Sequence, residues 1–284
     1  MRSFVYRGRP RIVGALKRPT VLAVAELRAR AWWHDLYGRS NHDPGPTPPL
    51  TLDLAAANPG ATATMLGNGP DASCPDVAPV GDCVVAADLH LAAVRSSVAG
   101  DPWTPTTEQA LATYSAVTGY VVGRPETDQG TDPLALLAWR RSGAPYPDGS
   151  TLLEGLLVDA SDERRLRQGI WLPSGAMAWA CLPDGWESEE DEDDVWDVCG
   201  APNPDNAHAF ALVGYDDCGP IVCSWGELLH LTWAAAAFYL RTEQGGGVLA
   251  PLDEDALDRS TGLCPAGYDL SALRAYLEMI GRRT

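Results

Sequence analysis

The chain has 284 residues, of which 45% are hydrophobic and 21% are charged. These values are typical of a globular protein with one large domain or two lobes, and they exclude disordered, collagen-like and small disulfide-stapled chains. The longest apolar run, residues 231–240, is far shorter than the ~18 residues that a membrane-spanning helix needs. We therefore expect a soluble protein with no membrane partner.

The net charge of −17 is divided unevenly along the chain. Residues 1–41 contain nine basic and two acidic residues, which gives +7, and the remainder contains twelve basic and 36 acidic residues, which gives −24. Such an acidic body repels nucleic acid, so we expect no nucleic-acid partner. We expect the basic segment to be an attachment arm that binds an acidic surface of another subunit in an assembly.

The N-terminal residues and the cysteines indicate where the chain is made. Arginine and proline interrupt every apolar stretch of residues 1–19, so the apolar region of a secretory signal is missing and we expect synthesis in a cytoplasm. Seven cysteines are scattered without a Cys-x-x-Cys pair or a histidine at zinc-finger spacing. We expect most of them to be buried thiols, and we expect neither a metal ion nor a cofactor.

The first half of the chain is predicted to be helical after a basic arm and a Pro-rich linker. Thr106 and Gln109 form the sequence of a capping box, and Asp132 followed by Pro133 is typical of a helix start. A short helix at residues 21–33 is a further possibility within the arm. The main helices are predicted at residues 83–99, 107–118 and 133–142.

The second half changes to short apolar runs that predict strands, with helices between them. The strands are predicted at residues 152–158, 176–182, 208–215 and 221–225, and the helices at 162–168, 233–241 and 270–280. Helices followed by strands predict an α+β fold with two lobes and a cleft. We divide the chain into the arm and linker (1–60), a helical lobe (61–150) and a β-rich lobe (151–284). Residues 187–197 include eight acidic residues, which predicts a solvated loop or, alternatively, a docking site for a basic partner.

Cys83 and His208 are the residues best suited to chemistry. Cys83 follows Gly81-Asp82 at the start of a predicted helix, where backbone amides and the helix dipole stabilise a thiolate and lower the thiol pKa. His208 begins a strand 125 residues later, and the sequence Ser-Trp-Gly at 224–226 closes the next strand. Each residue also has a purely structural interpretation. Cys83 is then a buried cysteine at a helix start, and His208 is a packed histidine.

Taken in order, these segments resemble the papain-like cysteine peptidases, and more closely a branch found in bacteriophage and bacterial genomes. The resemblance spans about residues 62–284. It implies a helical lobe followed by an antiparallel β lobe, and a protein or peptide substrate. The segments that carry it are Gly81-Asp82-Cys83, Thr127-Asp128-Gln129-Gly130, Trp139-Arg140-x-x-Gly143, the strand from His208 to Tyr215, and Trp225-Gly226.

The resemblance implies a role for each matched residue. Cys83 would attack a carbonyl group as a thiolate, while His208 holds the proton and delivers it to the leaving amine. The oxyanion would be held by the Cys83 backbone amide and by the side chain of Asn68, which lies fifteen residues upstream because an insertion containing Cys74 intervenes. Gly130 resembles the glycine that lets a substrate backbone approach, and its alternative is a plain loop glycine.

One position departs from the family pattern. Cys223 stands where papain-like enzymes have the asparagine that orients the imidazole, and a thiol is a weak hydrogen-bond partner. Glu227 and Asp205 are the alternatives for that orienting role. Trp225 is expected to shield the imidazole from water. His90 lies two helical turns beyond the nucleophile, about 10 Å away, so we assign it to packing.

Three functions fit this sequence. The first is a thiol hydrolase, possibly phage-encoded in origin, that cleaves peptide or isopeptide bonds. The second is a catalytically weakened papain fold that serves as a structural component of a virion head or tail, or of another large assembly. The third is a transferase that joins amides with the same Cys-His pair. The substitution at Cys223, the insertion before Cys83 and the basic arm are the features that discriminate between the first two.

Overall fold

The computed structural model describes residues 2–6, 9–13, 45–69, 78–144, 146–187, 195–253 and 256–283. The helix suggested at residues 21–33, the part of the insertion that contains Cys74 and most of the acidic segment 187–197 lie outside these ranges. Most of the basic arm lies outside them as well. Its attachment to another subunit therefore stays a prediction.

The helices of the first half of the body begin and end close to the predicted positions. The capping box of the second main helix is present, since Thr106 accepts a hydrogen bond from the Gln109 backbone and donates its own backbone N–H to the Gln109 side chain. Asp132 caps the next helix by accepting from the Leu134 amide. These contacts satisfy amides that a first helical turn leaves without partners. The helices are α1 (Pro59–Thr62), α2 (Cys83–Val98), α3 (Thr107–Thr118) and α4 (Pro133–Arg141).

The strands of the second half form one sheet, and a separate hairpin precedes it. The hairpin consists of β1 (Arg2–Tyr6) and β2 (Arg9–Val13). The sheet contains β3 (Leu52–Asp53), β4 (Leu152–Val158), β5 (Ala176–Cys181), β6 (Val195–Trp196), β7 (Ala207–Tyr215), β8 (Pro220–Ser224), β9 (Glu227–Leu231), β10 (Gly247–Asp253) and β11 (Gly281–Arg283). The interleaved helices are α5 (Glu163–Trp171), α6 (Trp233–Tyr239) and α7 (Leu270–Ile280).

The sheet has the order β11-β4-β10-β5-β7-β8-β9-β6, and β3 pairs with β7 outside this path. Its pairs are antiparallel except for β6 with β9, which is parallel. The predicted α+β class with an antiparallel sheet is therefore confirmed. Across the described ranges, none of the helices combines the length and the apolar character that crossing a bilayer demands.

Helix α2 and strand β7 form the centre of the molecule. All nine residues of β7 are buried, and α2 is buried on nearly every side. A helix that is buried all round belongs to the core and shows no one-sided apolar stripe, which fits the Ala, Val and Leu residues distributed around α2. Because α2 packs against β7, the first residue of the helix, Cys83, is brought to the strand that carries His208.

The Pro-rich segment is docked on the body from residue 45 onward, although the sequence suggests an extended linker. The Arg164 side chain donates to the Gly45 carbonyl at 3.0 Å, and Gln168 donates to the Pro46 carbonyl at 2.7 Å. Strand β3 then pairs with β7. These contacts are made by α5 and by the sheet, so residues 45–53 pack on the β-rich half.

A buried network of charged groups joins α2 and α4 to β10. Arg95 donates to Asp253 at 2.9 Å, and Arg140 donates to both oxygens of Asp88 at 3.1 and 3.2 Å. Arg140 also lies 3.7 Å from Asp253, and the Tyr146 hydroxyl donates to Asp88 at 2.6 Å. The charged side chains are at most 1% exposed. The helical and β-rich halves are therefore connected by ion pairs that water does not reach.

Candidate active site

One pocket gathers five of the six site residues that the sequence predicts. Asn68, Cys83, His208, Cys223 and Trp225 all line it. Cys83 is 2% exposed and His208 is 1% exposed, so the pocket is nearly closed to solvent. Residues separated by more than a hundred positions in the chain thus share one small compartment at the start of α2.

The pKa of the Cys83 thiol is raised, whereas the sequence suggests that it is lowered. The pKa of this thiol is raised to about 12, mainly by burial, against the opposing effect of hydrogen bonding by the Ala209 backbone and with a smaller contribution from the Asp82 carboxyl. The expectation that the helix start lowers the pKa is wrong here, because in a closed apolar pocket the cost of desolvating a thiolate exceeds what the helix amides supply. Cys83 is a neutral thiol at neutral pH and needs a base.

Ser224 is the residue that contacts the imidazole of His208. Its Oγ lies 2.7 Å from the His208 Nε2 atom, and both side chains are buried. The Cys223 thiol instead points to the Thr62 carbonyl, with the sulfur 3.7 Å from the oxygen. The orienting contact predicted for Cys223 therefore belongs to the next residue, and burial raises the pKa of the Cys223 thiol well above its usual range.

The alternation of side chains along β8 explains why Ser224 makes this contact. Cys223 pairs with Ala211 of β7, so its side chain lies on the sheet face of Ala211. The next residue, Ser224, lies on the other face, which is the face of His208 and Phe210. Aligning the chain on the Trp-Gly pair assigns the orienting role one residue too early, whereas strand alternation would have pointed to Ser224.

Trp225 covers the imidazole. Its ring is stacked on His208 with 4.4 Å between centroids and 18° between planes. Trp225 and Gly226 form the two-residue turn between β8 and β9, with φ values of 53° and 74°. Both values are left-handed, as a type I′ turn requires. A Cβ atom at residue 226 would lie 3.0 Å from the Ala63 carbonyl oxygen, so this position needs glycine.

Asn68 reaches the pocket in spite of the insertion. The backbone N–H of Val80 donates to the Gly67 carbonyl at 2.9 Å, and the Asn68 side-chain amide donates to the Val80 carbonyl at 3.2 Å. The two ends of the inserted segment are thereby held together, and Asn68 lies beside Cys83. The Asn68 side chain also hydrogen-bonds the Asp82 carboxyl, which lowers the pKa of that group against the larger effect of burial.

Gly130 is buried with a left-handed φ of 66°, and it is not among the residues that line the pocket. Its backbone N–H donates to the Tyr114 hydroxyl at 2.9 Å. Tyr114 in turn donates to Asp128, and the other oxygen of Asp128 accepts from the Gly81 amide. Gly130 is thus connected to the turn before Cys83 through two side chains, Asp128 of a matched segment and Tyr114, to which the sequence assigned no role.

The remaining residues considered from sequence lie apart from the imidazole contact. Asp205 is exposed, and Glu227 pairs with Ser224 across the β8–β9 turn. His90 lines the pocket, but its Nδ1 atom contacts the Ala61 carbonyl at 2.5 Å, and burial lowers its pKa to about 4. In the parts of the chain that the structure describes, no three His, Cys, Asp or Glu side chains are grouped as metal ligands.

Comparisons with known proteins find similar folds but no similar sequence. No protein-family model matches the chain, and no curated protein matches it in sequence. Xylellain, a cysteine protease from Xylella fastidiosa, is similar in structure with a TM-score of 0.51 and 12% identity, over 89% of this chain and 98% of that chain. Two other cysteine proteases are similar to the chain in structure.

Digestive procathepsin L 3 from the larval midgut of Tenebrio molitor has a TM-score of 0.50 and 14% identity, over 88% of this chain and 77% of that chain. The proform of the ragweed pollen cysteine protease Amb a 11 has a TM-score of 0.50 and 13% identity, over 78% of this chain and 72% of that chain. At these identities the likeness concerns the fold. The chain has the fold of the papain-like cysteine proteases.

Proposed function

We propose that the chain is a thiol hydrolase that cleaves peptide or isopeptide bonds, with Cys83 as nucleophile and His208 as general base and acid. The observation that carries the proposal is that Cys83 and His208 line one pocket while a hydroxyl orients the imidazole and an indole covers it. The papain-like fold supports it, because the similar structures are cysteine proteases.

The proposed reaction begins with the neutral Cys83 thiol. In the His208 tautomer with its proton on Nε2, this nitrogen donates to Ser224, and Nδ1 accepts the thiol proton as the sulfur bonds to the substrate carbonyl carbon. The resulting oxyanion is held by the Cys83 backbone amide and the Asn68 side chain. His208 then protonates the leaving amine, and water hydrolyses the thioester to release the acid and restore the thiol.

The other functions considered from sequence have no such support. A phage origin, a structural role in a virion and attachment to other subunits through the arm stay predictions. A transferase would use the same Cys83 and His208 pair, with an amine in place of water in the second step. A hydrolase is the simpler proposal because it needs no second substrate.

Labelling with an electrophile tests the proposal directly. Iodoacetamide is a small electrophile, and we expect it to alkylate Cys83 as His208 takes the proton and iodide leaves. The Cys83→Ala variant is expected to lose the label that mass spectrometry locates at residue 83. The matched control is Cys223→Ala, which removes the other buried free thiol of the pocket. If Cys223→Ala lowers the labelling of residue 83 as much as Cys83→Ala does, the proposal is contradicted.

The role of Ser224 gives a second prediction. Ser224→Ala removes the hydroxyl from His208 Nε2, and we expect kcat for peptide hydrolysis to fall by roughly tenfold because the imidazole tautomer is no longer fixed. Ser224→Thr keeps a hydroxyl and should recover part of the loss. Cys223→Ala, one residue away on the opposite sheet face, should change kcat little. A larger effect at 223 than at 224 would overturn the assignment.

A further inference from the structure

Asp128 connects the turn before the nucleophile with the loop that contains Gly130. One carboxylate oxygen accepts the backbone N–H of Gly81 at 2.9 Å, and the other accepts the Tyr114 hydroxyl at 2.6 Å. Tyr114 also accepts the backbone N–H of Gly130 at 2.9 Å. The chain of contacts therefore runs from the turn before Cys83, through two side chains, to the Gly130 loop.

These groups are shielded from water, so each contact matters. Gly81 and Gly130 are buried, Asp128 is 7% exposed and the Tyr114 side chain is fully buried. A buried amide that loses its acceptor is left without the hydrogen bond that water would otherwise supply. Residues 78–82 and 128–130 belong to no helix or strand, since α2 begins only at Cys83 and α4 only after Asp132. The side chains of Asp128 and Tyr114 hold Gly81 and Gly130, and the hydrogen bonds of Val80 with Gly67 and Asn68 also hold the first segment.

The neighbouring Asp82 is a second buried carboxyl beside Asp128. Asp82 is completely buried at the position that precedes α2, yet its side chain does not cap the helix. Burial, and then the charge of Asp128, raise the pKa of Asp82 well above its usual range. Of the two carboxyls, Asp128 is the one that accepts a hydrogen bond from each loop, through the Gly81 amide and the Tyr114 hydroxyl.

We infer that Asp128 is a positioning residue of the proposed thiol hydrolase: it holds the turn that presents Cys83 and, through Tyr114, the loop of Gly130, the glycine that the resemblance to papain-like peptidases assigns to substrate binding. The inference rests on the proposed function and adds two residues to it. Asp128 acts on Cys83 through the Gly81 amide, and Tyr114 acts on the substrate side through the Gly130 amide. The two variants should therefore have different kinetic consequences.

The test uses two probes of Cys83 on the full chain. Iodoacetamide reports the nucleophile alone, and a peptidyl vinyl sulfone also requires peptide binding. We expect Asp128→Ala to slow alkylation by iodoacetamide by about tenfold to a hundredfold, because a displaced nucleophile turn is costly. We expect Tyr114→Phe to leave that rate within about twofold but to raise the half-saturation concentration of the vinyl sulfone by about fivefold to tenfold.

Two further variants keep the test decisive. Asp128→Asn retains an oxygen for the Gly81 amide and should recover most of the iodoacetamide rate. This variant can be measured even if Asp128→Ala does not fold. Asp132→Ala, four residues away, removes the cap of α4 and should lower the melting temperature without touching Gly81. It should leave both probes unchanged, whereas a purely structural role for Asp128 predicts that Asp128→Ala and Asp132→Ala behave alike.

The outcomes separate this inference from the proposed function. If the wild-type protein is not labelled at Cys83 by either probe, the proposed function fails. If the wild-type protein is labelled and Asp128→Ala and Asp128→Asn are both labelled at its rate, the function stands and the positioning role of Asp128 is refuted. If Tyr114→Phe slows iodoacetamide as much as it weakens the vinyl sulfone, the division of roles between the two loops is refuted.

Discussion

Replacing Asp253 by alanine is expected to lower the free energy of unfolding by about 3–5 kcal/mol, because it removes one partner from a buried ion pair and leaves the other charge uncompensated. Asp253 is 1% exposed and accepts from Arg95 at 2.9 Å. The Arg95 guanidinium would keep only the Pro173 and Gly175 carbonyls, neither of which carries a charge. Arg140, 3.7 Å from Asp253, would keep Asp88.

Urea denaturation followed by tryptophan fluorescence measures this loss. The matched control is Glu243→Ala, which removes the acidic partner of Arg241 from a solvent-exposed pair and should cost less than about 1 kcal/mol. A double variant, Arg95→Met with Asp253→Leu, removes both charges and should be more stable than Asp253→Ala. An Asp253→Ala protein that unfolds at the same urea concentration as the control would show that the network contributes nothing to stability.

Replacing His208 by alanine is expected to slow alkylation of Cys83 by iodoacetamide by about a hundredfold or more at neutral pH, because the thiol then has no base. The remaining reaction depends on direct ionisation. Since the pKa of the thiol is about 12, its thiolate fraction grows about tenfold for each pH unit below that value. The alkylation rate of the variant should rise accordingly, whereas the wild-type rate should depend on pH less steeply.

The two rates should therefore converge as the solution becomes more alkaline. The measurement is the second-order rate constant between about pH 6 and pH 10, with Cys83→Ala as the blank. His90→Ala is a suitable comparison, since it removes another imidazole of the same pocket that is bound to the Ala61 carbonyl. If His90→Ala slows the reaction as much as His208→Ala does, the base has been assigned to the wrong histidine.

Local sequence signals were sufficient for the elements that build the site. The capping box at Thr106 and the Asp132-Pro133 start define their helices through contacts within three residues, and both are present. The start of α2 at Cys83 and the strand at His208 are also where the apolar pattern puts them. Such features depend on backbone amides a few residues away, which the sequence displays directly.

Features that depend on distant residues were not predictable in the same way. The identity of the orienting residue depends on which face of β8 lies toward β7, and this is fixed by the pairing of Cys223 with Ala211. The acidity of Cys83 depends on burial by segments far along the chain. The hydrogen bond between Asp128 and the Gly81 amide, 47 residues earlier, forms only when the two loops are folded together. In each case long-range packing supplies the missing information.

The turn between β8 and β9 positions both side chains that contact the imidazole of His208. Ser224 and Trp225 are consecutive, and the left-handed turn at Trp225-Gly226 fixes both at once. An inserted residue here would rotate hydroxyl and indole away from the imidazole together. A change in the length of this turn should therefore remove both contacts at once, whereas a substitution at residue 224 or 225 removes only one of them.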